Sequence, residues 1–195
     1  MKAMDLIIGI TGATGAIYGI RLLETLTEMA DVKTHLVISS AGEEIIKHET
    51  DYKPDAVKAL ADVAYDIDDV GAAIASGSFR REGMIVAPCT MKTMSALANS
   101  YTDNLIARTG DVTIKERKPL ILVVRETPLH LGHLRSMVRL TEMGAILLPP
   151  VPSFYNKPKT VDDIINSTVG RVLDLINIEH NLYKRWGGLK GITGK

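Results

Sequence analysis

Short apolar runs alternate with amphipathic runs along most of the chain. Short segments with a run of apolar residues are typical of buried strands, and they occupy residues 5–10, 33–39, 83–88, 120–124 and 145–148. Between them, apolar residues recur at the spacing of one helix face, which predicts helices over 16–29, 41–49, 55–63, 91–98, 103–116, 131–144 and 160–176. Strands that alternate with helices predict an α/β fold, with an open parallel sheet and helices on both of its faces.

Length and composition narrow the class of protein. With 195 residues, no internal repeat and no linker, we expect one domain over 1–188 and a flexible tail over 189–195. Basic and acidic residues balance at 23 each, which argues against nucleic acid or an anionic membrane as a partner. Cys89 is the single cysteine, and Asp5 interrupts the apolar stretch that most resembles a signal peptide. We therefore predict a cytoplasmic protein.

The turn after the first predicted strand is rich in glycine. Residues 9–19 read GITGATGAIYG, and open α/β sheets bind ligands at such strand ends. Because the amides at a helix start favour an anion, we expect a phosphate-bearing ligand near Gly12, Ala13 and Thr14. The spacing differs from the G-x-G-x-x-G of dinucleotide sites, and the G-K-[ST] of a P-loop is missing. The alternative is that the glycines only permit tight packing of helix on strand.

A second polar turn, APCTMKT at residues 87–93, follows the third predicted strand. Thr90 and Thr93 offer hydroxyl groups there, and Lys92 offers a cation. Two neighbouring strand ends that both carry small hydroxyl residues favour a mononucleotide over a dinucleotide. Cys89 is interpreted as a buried apolar residue rather than a nucleophile, because the sequence shows no dedicated base beside it.

Several longer segments resemble a known family. The segments GITGATGAIYGIRLL, APCTMKTMSALA, VRETPLHLGHLRSM, PSFYNKP and RWG are similar to flavin prenyltransferases of the UbiX type, and the resemblance extends over residues 5–188. This family includes the B subunits of phenolic (hydroxyarylic) acid decarboxylase systems. The resemblance implies a flavodoxin-like (Rossmann-like) fold and a homododecamer with active sites at subunit interfaces. It also implies transfer of a dimethylallyl group from dimethylallyl phosphate to N5 and C6 of reduced FMN, without a metal, for use by a UbiD-type decarboxylase.

The resemblance also assigns residues to these roles. The FMN-binding residues that it implies are Gly12, Ala13, Thr14, Ser39, Thr90, Met91, Lys92, Thr93 and Arg125. The residues expected to bind the donor phosphate or to line its pocket are Arg108, Lys115, Glu126, Tyr155 and Arg171. Glu49 is expected beside the flavin. Many relatives carry serine where this chain has Thr14 and Thr90, and threonine keeps the hydroxyl group but is stiffer at χ1.

The implied reaction explains why charged side chains are needed. Breaking an allylic C–O bond leaves a phosphate dianion, whose charge must be balanced by fixed cations when no metal takes part. We assign this work to Lys115, Arg108 and Arg171, with a hydroxyl donor from Tyr155. A cation-like prenyl fragment also needs an apolar, aromatic wall, for which Tyr155 and Trp186 are the candidates.

Two proton transfers accompany the bonds to N5 and C6. We hypothesise that Glu49 and a nearby hydroxyl, from Thr14 or Thr90, act at the flavin. Glu126 and the released phosphate would then serve the second transfer.

Several of these residues also have a purely structural interpretation. Lys115 lies in the charge run IKERK, and Tyr155 lies in a proline-bounded loop where aromatic residues often pack. Arg125 and Glu126 are adjacent and could neutralise each other. His130 and His133 form a close histidine pair, which we interpret as a capped or packed helix face rather than a metal site.

Two other functions remain open from the sequence. An FMN-binding accessory subunit of a phenolic acid decarboxylase would keep the flavin site, but it would not need Lys115, Tyr155 and Arg171 together. An enzyme like the flavin-dependent cysteine decarboxylases would need a catalytic histidine early in the chain. His48 is the histidine best placed for that role, and no Asn/Met-rich flavin loop accompanies it.

Overall fold

The computed structural model describes residues 4–188, so the predicted flexible tail lies outside the described residues. The chain divides into two compact units, residues 1–150 and 151–195. The first unit contains the sheet, and the second contains the last helix. A single domain over 1–188 stays a prediction.

Six strands and seven α-helices alternate in the described chain. The strands are β1 (Met4–Ile10), β2 (Val32–Ile38), β3 (Val63–Tyr65), β4 (Gly83–Cys89), β5 (Leu120–Val124) and β6 (Ile146–Leu147). The helices are α1 (Ala16–Thr27), α2 (Ser40–Glu49), α3 (Pro54–Lys58), α4 (Met91–Ala98), α5 (Leu105–Lys115), α6 (Leu131–Glu142) and α7 (Val161–Asp174). A short 3₁₀ turn covers Ala73–Ala75.

All six strands are parallel and form one sheet in the order β3-β2-β1-β4-β5-β6. Without the three-residue edge strand β3, the remaining order is the 2-1-3-4-5 of flavodoxin-like sheets. With β3 it is the 3-2-1-4-5-6 of the Rossmann fold. In both descriptions the order reverses between β1 and β4, and ligands of such sheets bind at that reversal.

The central strands form the core of the sheet. Every residue of β4 and β5 is buried, as are the last five residues of β1 and of β2. Strands buried on both faces require a helical layer on each side. The predicted α/β fold with an open parallel sheet is therefore confirmed.

One predicted element was wrong. The helix expected over 55–63 ends at Lys58, and residues 63–65 form β3 instead. The difference is explained by a contact between β2 and the residue before β3. Thr34 donates to Asp62 Oδ2 from its backbone N at 2.7 Å and from Oγ1 at 2.9 Å. Asp62 N donates back to Thr34 Oγ1 at 3.0 Å. This closed pair holds the chain beside β2, and a local hydrophobic pattern does not reveal it.

The predicted start of the last helix is confirmed in detail. Thr160 Oγ1 accepts from Asp163 N at 3.1 Å, and Asp163 Oδ2 accepts from Thr160 N at 3.0 Å. These two bonds form a capping box that satisfies two backbone donors at the start of α7. Across residues 4–188, none of the helices has the length and apolar character needed to cross a bilayer.

Candidate active site

A pocket of about 490 Å³ opens at the sheet reversal between β1 and β4. Its volume is within the roughly 300–1,000 Å³ range of small-molecule sites. The predicted FMN-binding residues that line it are Gly12, Ser39, Thr90, Lys92 and Thr93. They follow three different strands, so the topology brings these predicted residues together. Polar residues that were not predicted also line the pocket, namely Thr11, Ser40, Asp68, Asp103 and Asn104.

Three helices begin at this pocket. Ser39 Oγ accepts from Gly42 N at 3.1 Å at the start of α2, and Thr90 Oγ1 accepts from Thr93 N at 3.2 Å at the start of α4. Asn104 caps α5 in the same way, with Oδ1 accepting from Ala107 N at 3.0 Å. The partial positive charge of each helix start therefore faces the pocket, which favours an anionic ligand group.

Lys92 is the cationic residue among those that line the pocket. Its side chain is exposed, and Nζ lies 3.8 Å from Asp103 Oδ2. Met91, next to it, packs partly against the hydrophobic core rather than lining the pocket. The pocket therefore combines helix amides and one cation with the carboxylates of Asp68 and Asp103.

Thr11 joins the two loops that form the pocket. Its side chain is buried, and Oγ1 donates to Pro88 O at 2.8 Å and accepts from Thr90 N at 2.9 Å. Both capacities of the hydroxyl group are used, so the loop after β1 is fixed to the end of β4. The sequence analysis missed this residue. The available signal was a polar residue directly after the apolar run of residues 6–10.

The glycines of the first turn are needed for close packing. A Cβ at Gly12 would lie 2.4 Å from Ala41 Cβ, and one at Gly19 would lie 2.3 Å from Ala87 O. Gly15 begins α1 with a φ of 97°, a conformation that favours glycine. Gly19 of α1 therefore permits tight packing of a helix on strand β4, whereas Gly12 packs against Ala41 of α2. At Gly12 this packing coexists with a place in the pocket wall.

Glu49 occupies the start of α1. Its Oε2 accepts from Gly15 N at 2.7 Å and from Ala16 N at 3.3 Å, so a carboxylate already meets these amides. Ala13 and Thr14 belong to the same loop, and the side chain of Thr14 is exposed. Among the helix starts at the pocket, those of α2 and α4 are therefore the most open to a ligand phosphate, because the first amide of α5, Leu105 N, donates to Ile67 O at 2.8 Å.

Arg125 and Glu126 follow β5, one strand further along the sheet. Arg125 N donates to Cys89 O at 3.1 Å, which holds the end of β5 beside the end of β4. Both side chains are exposed, and Glu126 Oε1 accepts from Thr127 N at 3.0 Å. Cys89 itself is buried, and burial raises the pKa of its thiol to about 12. Such a thiol is inert as a nucleophile at neutral pH.

Arg108 and Lys115 lie two turns apart on α5, where their side chains reach solvent. Arg108 Nη1 is 3.9 Å from Asp111 Oδ2, and Lys115 Nζ contacts Glu116 Oε1. The hydrogen bond from Lys115 lowers the pKa of Glu116. Arg108 and Lys115, the two predicted phosphate-binding cations of the unit 1–150, therefore each lie beside a carboxylate. A phosphate would have to compete with that carboxylate.

Tyr155 and Arg171 belong to the unit 151–195. The Tyr155 ring meets Trp186 edge to face, with centroids 5.4 Å apart and planes at 72°. Arg171 Nη1 donates to Asp174 Oδ2 at 2.9 Å. The two aromatic residues expected to form an apolar wall are thus in contact with each other.

One residue of the predicted histidine pair, His130, caps a helix. His130 Nδ1 accepts from Gly132 N at 3.0 Å at the start of α6, and its ring lies 3.6 Å from that of His133, centroid to centroid. Within residues 4–188, no three His, Cys, Asp or Glu side chains are arranged around a common metal position. The structure therefore gives His130 a structural role.

Comparisons with known proteins agree with this architecture. The model of the flavoprotein family matches residues 1–173. Flavin prenyltransferase UbiX of Thauera aromatica is 55% identical over 185 residues, which cover 95% of this chain and 95% of that protein. The crystal structure of AnUbiX (PadA1) in complex with FMN and dimethylallyl pyrophosphate is 48% identical, with a TM-score of 0.94, covering 96% of this chain and 99% of that one. The dodecameric FMN-dependent UbiX-like decarboxylase from Escherichia coli O157:H7 is 49% identical, with a TM-score of 0.93, covering 95% and 100%.

Proposed function

Because the chain belongs to the flavoprotein family and, within it, to the UbiX flavin prenyltransferases, we propose that it transfers a dimethylallyl group to reduced FMN. The donor is dimethylallyl phosphate or its diphosphate, and the product carries new bonds at N5 and C6. The observation that carries this proposal is the pocket at the β1/β4 reversal, with three helix starts facing it.

The pocket fits FMN as a substrate. Its phosphate suits the starts of α2, α4 and α5 together with Lys92, since backbone amides and a cation are the donors that phosphate needs. The ribityl hydroxyl groups suit acceptors, which Asp68 and Asp103 supply. Gly12, Ala13, Thr14 and Arg125 complete the proposed FMN-binding set, with Thr11 holding the loops in place.

The donor phosphate is proposed to bind Lys115, Arg108, Tyr155 and Arg171. Fixed positive charge at the leaving oxygen lowers the barrier for breaking the allylic C–O bond, because the charge that develops is met by groups already in place. Exclusion of water strengthens this effect, since the effective dielectric constant falls. Tyr155 and Trp186 supply an aromatic surface for the prenyl fragment.

Proton transfer is assigned to carboxylates and hydroxyl groups. Glu49 is held by two backbone donors, which fixes the position of a base before the substrate arrives. A hydroxyl group from Thr14 or Thr90 is the proposed relay, and Glu126 with the released phosphate completes the second transfer.

Assembly and partners follow from the relatives. We propose that the chain forms a homododecamer, as does the 49% identical neighbour, and that its prenylated FMN supplies a UbiD-type decarboxylase. A cytoplasmic location is also proposed, and it rests on the single cysteine of the sequence.

The test is anaerobic incubation of the protein with reduced FMN and dimethylallyl phosphate, followed by mass spectrometry of the released flavin. A gain of one C5 unit is expected. Unchanged FMN bound to the protein would instead support an accessory flavin-binding subunit. Parallel reactions with the diphosphate donor would establish which leaving group the enzyme prefers.

A further inference from the structure

Four side chains converge on the carboxylate of Asp174 in the unit 151–195. Arg171 Nη1 and Tyr183 OH donate to Oδ2 at 2.9 and 2.5 Å. Arg185 Nη2 donates to Oδ1 at 2.6 Å, and His180 Nε2 lies 3.2 Å from the same oxygen. The Asp174 side chain is only 11% exposed. We call these five residues the Asp174 cluster.

The Asp174 cluster carries more positive than negative charge. One carboxylate faces two guanidinium groups, whose side chains are 53% exposed at Arg171 and 62% exposed at Arg185. Each guanidinium has five N–H donors in a planar fork, so the contacts with Asp174, and at Arg171 also with Tyr183, use only some of them. A guanidinium is protonated at neutral pH in any of these environments, and the hydrogen bond to Asp174 raises the pKa of Arg185 further.

Residues 183–186, which include Arg185, also contact Tyr155, the second residue of this unit that is predicted to bind the prenyl donor. Trp186, the next residue, meets the Tyr155 ring edge to face. Tyr183 packs on α7 so closely that a Cβ at Gly170 would lie 2.5 Å from its ring. Residues 183–186 therefore connect Tyr155, from the loop before α7, with Arg171, from its last turn.

The geometry also limits how far apart the two arginines can be. Two donors that bind opposite oxygens of one carboxylate at 2.6 and 2.9 Å lie no more than about 8 Å from each other. A phosphate group can accept from both at such a separation, and arginine is well suited to it because its planar fork matches phosphate oxygens.

We propose that Arg185 binds the phosphate of the prenyl donor together with Arg171, as a second arginine of the same site. This inference rests on the proposed function, because it takes Arg171 to be a phosphate-binding residue. Asp174 then has a positioning role, since it holds both guanidinium groups while leaving them a net positive charge. Trp186, at the end of residues 183–186, contacts the ring of Tyr155.

The test compares Arg185→Met with Lys184→Met by calorimetric titration of dimethylallyl phosphate into the protein saturated with oxidised FMN, where no turnover occurs. Lys184 is the neighbouring cation and does not contact Asp174 among the described contacts. Loss of a charge-assisted contact should weaken donor binding about 10- to 100-fold in Arg185→Met. The dissociation constant should change less than about twofold in Lys184→Met, and FMN affinity should stay constant in both variants. Arg185→Lys should recover part of the loss, since it restores charge without the fork.

A merely structural role for Arg185 would give a different pattern. Inorganic phosphate lacks the prenyl group, so it should show the same weakening in Arg185→Met if the contact is to phosphate. If donor affinity falls but phosphate affinity does not, or if neither falls in a variant with an unchanged melting temperature, the inference is wrong. If the variant loses affinity as expected but the wild type never prenylates FMN, the proposed function fails while the phosphate site stands.

Discussion

The two regions proposed to bind phosphate groups are built in opposite ways. The pocket in the unit 1–150 presents short hydroxyl side chains and the amides of three helix starts. The Asp174 cluster in the unit 151–195 presents two long arginines held by one acid. The donors of the first region are positioned by the backbone of the helix starts. The donors of the second region are positioned by contacts between side chains.

This difference suggests a division of tasks. Backbone amides are fixed by the fold and keep their direction without a ligand, which suits binding of a flavin phosphate that does not react. Arginine side chains carry full charge, which suits a leaving group on which charge develops during the reaction. The pocket should therefore be sensitive to changes in loop packing, and the cluster to changes in charge.

The largest effect is expected at Glu49, the last residue of α2, whose carboxylate contacts the start of α1. In Glu49→Gln, the amide oxygen can still accept from Gly15 N and keep the helix start satisfied, but it cannot take up a proton at neutral pH. We therefore expect FMN to bind as before while turnover falls on the order of 10²- to 10⁴-fold. Anaerobic single-turnover assays and FMN titration measure the two quantities separately.

A matched control for this variant lies on the same helix. Glu44→Gln removes an exposed carboxylate of α2 that pairs with Lys47, and it should leave turnover unchanged. Undiminished turnover in Glu49→Gln would reject the role of Glu49 as a base. Parallel loss of FMN binding and turnover would mean that its contact with the α1 start is its main contribution.

The pocket region was largely predictable from the sequence because its signals are local. Apolar strands followed by glycine or threonine turns indicated β1, β4 and the helices after them, and Gly12, Thr90 and Lys92 were found from that pattern. Strand β3 was not predictable in this way. Its formation depends on Thr34 and Asp62, which are 28 positions apart and carry no periodic signal.

The Asp174 cluster was harder to predict for a physical reason. Family resemblance implied Arg171, but nothing in the local pattern of α7 indicates that Asp174 also binds Tyr183 and Arg185, nine and 11 positions further on. A helix pattern describes which face is buried. It does not describe which distant side chains return to one carboxylate.

A second prediction concerns the side chain that joins the two loops of the pocket. Thr11→Val preserves shape but removes the hydroxyl group that joins Pro88 O to Thr90 N. Pro88 O still accepts from Thr11 N at 3.3 Å, but Thr90 N loses its acceptor. One unsatisfied buried donor costs about 1–3 kcal/mol, so we expect a loss of stability in that range and weaker FMN binding. Urea unfolding and FMN titration are the measurements.

Thr109→Val provides the control for this change. Thr109 is equally buried, but its Oγ1 has no hydrogen-bond partner in the described structure. Replacing an unsatisfied hydroxyl by a methyl should be neutral or stabilising. If both variants lose the same stability, the bonds of Thr11 do not hold the two loops together.

The smallest expected effect is a loss of folding stability at low pH, and it tests how far the Asp174 cluster depends on charge. Burial of the Asp174 carboxyl opposes ionisation, but hydrogen bonds from Tyr183, Arg185 and His180 outweigh it and lower its pKa from 3.8 to about 2. A carboxyl with a lowered pKa contributes stability that is fully present above its unfolded pKa and is lost as pH falls through its folded pKa. The contribution is about 2 kcal/mol, and it should disappear between pH 4 and pH 2.

The comparison with Asp174→Asn isolates this contribution from the other carboxyl groups. The difference in unfolding free energy between wild type and Asp174→Asn should be largest above pH 4 and should shrink by about 2 kcal/mol towards pH 2. Trp186 is the only tryptophan of the chain, and its contact with Tyr155 makes its fluorescence a local reporter of this unit. Asp55→Asn removes an exposed carboxylate and serves as the control. A difference that stays constant across this range would show that the two arginines are not held by the charge of Asp174, and the contrast between the two regions would then rest on packing alone.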